Sequence, residues 1–63
     1  MNVRFIRAMA KARHTYPSLA AAAGVSPATI KRVRQGKNVR PRTAWLIAQA
    51  LNTTPFDLGM ADA

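Results

Sequence analysis

Cysteine is absent from this chain, acids are scarce, and no long apolar run interrupts it. Each absence closes a route. Without thiols, no disulfide and no thiolate metal centre can hold the fold together. One histidine and two acids among 63 residues are too few for a structural metal, and no metal or cofactor is expected. No acid, base and nucleophile come together in a pattern that would support catalysis, so no enzyme is expected. Alternating β-branched runs and an Asn-Gly hairpin turn are missing, and with them the signals for strands. The opening "MNVRFIRAMAKAR" sets Arg4 and Arg7 inside any apolar segment, so no signal peptide is expected. Nothing nears the ~20 apolar residues of a membrane span, and the expected compartment is the cytoplasm.

What remains is small and strongly basic. The length suits one domain, and a domain of this size buries only about 60% of the surface its unfolded chain exposes. Ten Lys and Arg stand against two acids, for a net charge of +8. Self-repulsion at that charge weakens a compact state, so a neutralising partner is implied. Nucleic acid, an anionic membrane surface and an acidic protein are the candidates.

Alanine, the best helix former, is the commonest residue. Capping and stop signals bracket five short helical segments. The first runs from about Asn2 to Arg13, with Phe5, Met9 and Ala12 on one face and Arg4, Arg7 and Lys11 on another. The second starts at "TYPS", with Thr15 or Tyr16 as cap, and stops at Ala23 before Gly24. The third follows the N-cap Ser26, has Pro27 at its first position and ends before Gly36. The fourth, in "TAWLIAQALN", repeats Ala44, Ile47, Ala48 and Leu51 at helical spacing. The fifth is a short turn, "TPFDL", capped by Thr54 and started by Pro55. The domain is expected to span residues 1–59, with residues 60–63 as a frayed tail.

The second and third segments form a unit. Gly24 sits where a steep turn between helices needs a positive φ, and Ala20 leaves room for close approach. Ile30 and Val33 point the third helix into the core and leave Ala28, Thr29, Lys31 and Arg32 outside. "LAAAAGVSPATIKRVRQGK" and "RPRTAWLIAQALNTTPFDL" resemble the Cro/cI (Xre) family of phage and bacterial transcription regulators, in register over about residues 2–59. The resemblance implies an all-α, five-helix bundle of the lambda-repressor-like DNA-binding type, whose helix-turn-helix places its third helix in the major groove. It also marks departures. Met9 and Arg34 replace an arginine and a glutamate that many members pair. His14 occupies a usually apolar position, and Tyr16 stands where a DNA-contacting glutamine is common.

On that reading Arg32 is the first candidate for a base contact, since its fork matches guanine O6 and N7. Pro27 and Ala28 either touch thymine methyl groups or simply start the helix. Thr29 either bonds a base or phosphate or back-bonds within its helix. Thr15, Tyr16, Ser26, Lys31, Gln35, Lys37 and Asn38 complete the expected DNA contacts, with Tyr16 reaching a phosphate in preference to packing in the core, together with Arg40 and Arg42. These two flank Pro41 on an extended loop suited to phosphates or a narrow minor groove. Arg4, Arg7 and Lys11 read as a solvated helix face, and His14 as a packed or partly exposed residue. Trp45 and Leu46 lie off the core stripe of the fourth helix and, with Pro55 and Phe56, are a candidate dimer interface. The alternative is that Trp45 folds over the small core.

The expected function is that of a Cro-like phage or mobile-element repressor. It would occupy a palindromic double-stranded operator as a homodimer formed or strengthened on DNA. No small-molecule ligand and no membrane partner are expected. A recombination-directionality or DNA-architectural factor, and an antitoxin, remain as rivals on the same fold. A cationic membrane-active peptide is disfavoured, because Gly24 and Gly36 break the chain into short helices.

Overall fold

The computed structural model describes residues 1–60. They form four α-helices and no strand: α1 (Val3–Ala12), α2 (Tyr16–Ala23), α3 (Pro27–Arg34) and α4 (Pro41–Ala50). The helix starts follow their capping signals. Asn2 accepts from the Phe5 N–H at 3.0 Å. Thr15 and Ser18 form a reciprocal capping box at the head of α2. Ser26 caps α3 ahead of Pro27. α4 starts differently, with Pro41 at its first turn and no side-chain cap from Arg40.

Among the described residues there are four helices, not the expected five. The segment "TPFDL" folds as a single tight turn. The Leu58 N–H meets the carbonyls of Thr54 and Pro55, and the Met60 N–H closes back onto Pro55. Pro55 allows a helical start, but Gly59, at φ 71°, reverses the chain only four residues later. There is no room for a second turn.

Every element contributes a large side chain to one core. Phe5 of α1, Leu19 of α2, Ile30 of α3, Ile47 of α4 and Leu58 of the last turn are each at most 1% exposed. Met9, Ala20, Ala23, Val33 and Ala48 fill the space between them, and Ala44 is buried beside them on α4. Two expected core positions lie further out. Ala12 is exposed, in the last turn of α1 just before Arg13 leaves the helix at φ 57°. Leu51 is half-buried where α4 ends. Of the expected frayed tail, Met60 packs against the core and residues 61–63 lie outside the described residues.

Asn2 joins three parts of the fold. Its backbone N–H donates to the Arg34 carbonyl at the end of α3, at 2.8 Å. Its side-chain oxygen caps α1, and its Nδ2 donates to the Leu58 carbonyl at 2.8 Å. Gly59 makes this approach possible: a Cβ there would lie 3.1 Å from Asn2 Oδ1. Asn2→Ala removes both side-chain bonds and is expected to cost about 1–3 kcal/mol. In a thermal melt that corresponds to a fall of roughly 4–20 °C. Asn2→Asp retains the cap acceptor but not the donor to Leu58. A melt of Asn2→Ala matching the parent protein would show that the two side-chain bonds together add nothing.

Candidate nucleic-acid interface

α2 and α3 meet through a four-atom logic of caps and carbonyls. Gly24 adopts φ 74°, and its N–H and that of Val25 return to the Ala21 and Ala20 carbonyls. A Cβ on Gly24 would meet nothing within 4 Å. Backbone conformation, and not space, therefore selects glycine here. Ala20, 2% exposed, lies in the packed α2 face next to this turn. α2 packs against both α3 and α4, and α1 packs against α3.

Ile30 and Val33 anchor α3, at 0% and 1% exposure. Their burial turns Pro27, Ala28, Lys31, Arg32 and Gln35 to the surface. Ser26 is also exposed, and Thr29 is half-buried. Ser26 Oγ accepts from the Thr29 N–H at 3.3 Å and lies 3.0 Å from Thr29 Oγ1. One hydroxyl donates to the other, which leaves a single O–H of the pair for an outside acceptor. Thr29 is thus held beside its cap rather than bonded back along the helix.

Arg32 Nη2 donates to the Asn38 carbonyl at 3.3 Å. This bond was not legible in the sequence. It leans the guanidinium across the loop between α3 and α4 while leaving the rest of the fork in solvent. Lys37, Asn38 and Arg40 are exposed along the same loop, and half-buried Val39 packs it to the core. Arg42, expected on an extended loop, is instead exposed in the first turn of α4, because Pro41 starts that helix. Gly36, at φ 83°, turns the chain out of α3 and into this basic segment.

On α2, Thr15 is exposed and Tyr16 half-buried, with the Tyr16 ring against the core. Thr15 Oγ1 accepts from the Ser18 N–H at 3.2 Å, and Ser18 Oγ accepts from the Thr15 N–H at 2.8 Å. The Thr15 hydroxyl proton is still available to an acceptor. His14 is half-buried, with Nδ1 3.0 Å from Ser18 Oγ. Met9 sits in the core at 7% exposure, whereas Arg34 ends α3 half-buried. An apolar side chain has taken one of the two places where the resembled family often pairs charges.

Charge is distributed unevenly over the elements. α2 has no cation, and α4 has none after Arg42. Lys31 and Arg32 are exposed on α3, Lys37 and Arg40 on the loop that follows it, and Arg42 in the first turn of α4, while Arg4, Arg7 and Lys11 are exposed on α1. Among the described residues, no group of three or more His, Cys, Asp or Glu side chains is placed to hold a metal. None of the described helices is long and apolar enough to cross a membrane.

Trp45 and Phe56 are the exposed part of the other predicted surface, at 51% and 77%. Leu46 and Pro55 are half-buried, and Leu46 packs on the core. The apolar surface is therefore carried by the two aromatic rings.

Residues 6–58 match the family model described as helix-turn-helix, of the Cro/cI (Xre) type. No curated protein and no solved structure matches the chain.

Proposed function

Because the chain belongs to this helix-turn-helix family of DNA-binding, non-enzymatic proteins, we propose that it is a sequence-specific transcriptional regulator. It acts as a Cro-like repressor of a phage or mobile element, occupying an operator in the cytoplasm of a bacterial or phage-infected cell. One observation carries the reading. Buried Ile30 and Val33 hold α3 so that Arg32, Lys31, Gln35 and Ala28 face outward beside a loop of exposed cations. A helix presented in this way can enter a major groove while the loop meets the flanking phosphates.

Arg32 reads a base in this scheme. Lys37, Arg40 and Arg42 bind phosphate, with Thr15, Tyr16, Ser26, Thr29 and Asn38 as secondary contacts. Swinging Arg32 from the Asn38 carbonyl to guanine exchanges one exposed hydrogen bond for a bidentate pair. Selection of bound duplexes from a random pool supplies the operator and tests the assignment directly. Arg32→Ala is then expected to cost about 1–3 kcal/mol and to relax one base pair per half-site. Lys37→Ala, Arg40→Ala and Arg42→Ala are expected to weaken all sequences alike. Each should also reduce the slope of log K against log salt by roughly one. Uniform loss for Arg32→Ala would reassign it to the backbone, and unchanged slopes for the Lys37, Arg40 and Arg42 variants would remove the phosphate contacts.

Pairing completes the proposal. One recognition helix covers only a few base pairs, too little to find a single site in a genome. Two copies about a two-fold axis would reach successive major grooves about 34 Å apart on an imperfect palindrome. The exposed rings of Trp45 and Phe56 are the proposed contact between copies.

A further inference from the structure

Arg4, Arg7 and Lys11 are all exposed and share the side of α1 that turns away from Phe5 and Met9. Nothing in the major-groove scheme uses them. Their arrangement is also unfavourable for the isolated helix. Arg4 opposes the positive end of the helix dipole, and the three cations repel one another at spacings of three and four residues. α1 contains no acid to offset this, and its first turn has none. A surface made only for solubility mixes the two signs.

Two further observations connect this stripe to the basic loop. Arg4 and Lys37 line the same cleft of about 450 Å³, between the start of α1 and the loop after α3. The Arg4 stem is seated along Gly59, with Cδ 3.4 Å from where a Cβ on that glycine would be. The stem is supported while the guanidinium stays outside. A band of positive charge therefore runs from Lys37 across the cleft to Arg4, and along α1 through Arg7 to Lys11. Arg4 to Lys11 covers roughly 10 Å of helix, and a duplex carries a phosphate charge about every 1.7 Å of its axis.

We infer that this band is a second phosphate track, occupied by the DNA that flanks the half-site on the side of the loop after α3. The duplex continues past Lys37 and curves against α1, which extends the footprint without reading bases. The inference rests on the proposed contact of that loop with phosphate.

The test uses the full chain and a variant with Arg4→Gln, Arg7→Gln and Lys11→Gln. Glutamine is a good helix former, so α1 is retained, as circular dichroism will check. Binding is measured on a duplex of one selected half-site and on the same duplex extended by about ten base pairs on each side in turn. The parent protein is expected to bind one of the extended duplexes at least tenfold more tightly at low salt. Its slope of log K against log salt should steepen there by about two to three. The variant should match the parent on the short duplex and gain nothing from the extension.

No gain for the parent, or a gain retained by the variant, overturns the inference. So does equal weakening of the variant on the short duplex, which would place the stripe within the half-site contact. Two short duplexes bound per protein would also overturn it, in favour of bridging. If selection yields no preferred sequence, the base-reading assignment fails separately. The extension series then runs on duplexes of arbitrary sequence, because phosphate contacts need none.

Discussion

Trp45→Gln combined with Phe56→Gln is expected to weaken binding to a full palindromic site by about 10²–10⁴-fold while sparing an isolated half-site. The first half-site delivers the second copy at high local concentration only if the copies touch. Each ring offers up to about 150–250 Å², of which 51% of Trp45 and 77% of Phe56 is exposed. Even with Leu46 and Pro55, this falls well below the ~800 Å² per partner of a standard stable interface. The free protein, at +8 per copy, should therefore remain largely monomeric and pair when DNA neutralises it. Glutamine is preferred to glutamate because a carboxylate would repel the duplex as well as break the contact. Leu46 is a poorer probe, since its packing on the core would mix unfolding with lost pairing. Equal loss on full and half sites, or a 1:1 complex on the full site at saturation, would rule out pairing through this surface.

The second large effect lies in the core. Ile30→Ala removes the fully buried side chain that holds α3 against the other helices. Its expected cost is about 2–5 kcal/mol. A chain of this length has only about 3–9 kcal/mol of stability. Much of the population would unfold, and urea or thermal melts should show a fall of roughly 10–40 °C. DNA binding would fail with it, for every sequence. Arg32→Ala, two positions on and exposed, should leave the melt almost unchanged while altering specificity. The contrast separates what holds α3 in place from what its outer face reads. A loss below 1 kcal/mol for Ile30→Ala would mean that the core can close over the gap.

These two residues also show which parts of the structure were readable beforehand. Ile30 and Val33 announce themselves by helical spacing, and Ser26 with Pro27 announces where α3 begins. Gly24 marks its turn because few other residues tolerate that φ. All of these signals are local. The final turn is local as well, yet Pro55 reads as a helix start, and only the left-handed Gly59 shows that it stops after one turn. Long-range pairings leave no periodic trace. Asn2 looks like an ordinary cap, and its bond to Leu58 spans 56 residues. The Arg32 to Asn38 bond depends on how the loop folds back after Gly36. Leu46 and Trp45 are neighbours on α4 and looked equally outward, but only Leu46 lies on the core. A difference of about 100° around a helix is enough to separate them.

The bond from Asn2 to Leu58 also orders events during synthesis. A ribosome adding about 5–20 residues per second makes α1 first. For some seconds thereafter, the Asn2 Nδ2 donor has no Leu58 carbonyl to meet. Phe5 meanwhile lacks Leu58, a neighbour in the core cluster. The nascent chain therefore carries an unfinished, strongly cationic segment in a cell full of RNA. Asn2 and Leu58 come together only after Leu58 has been added.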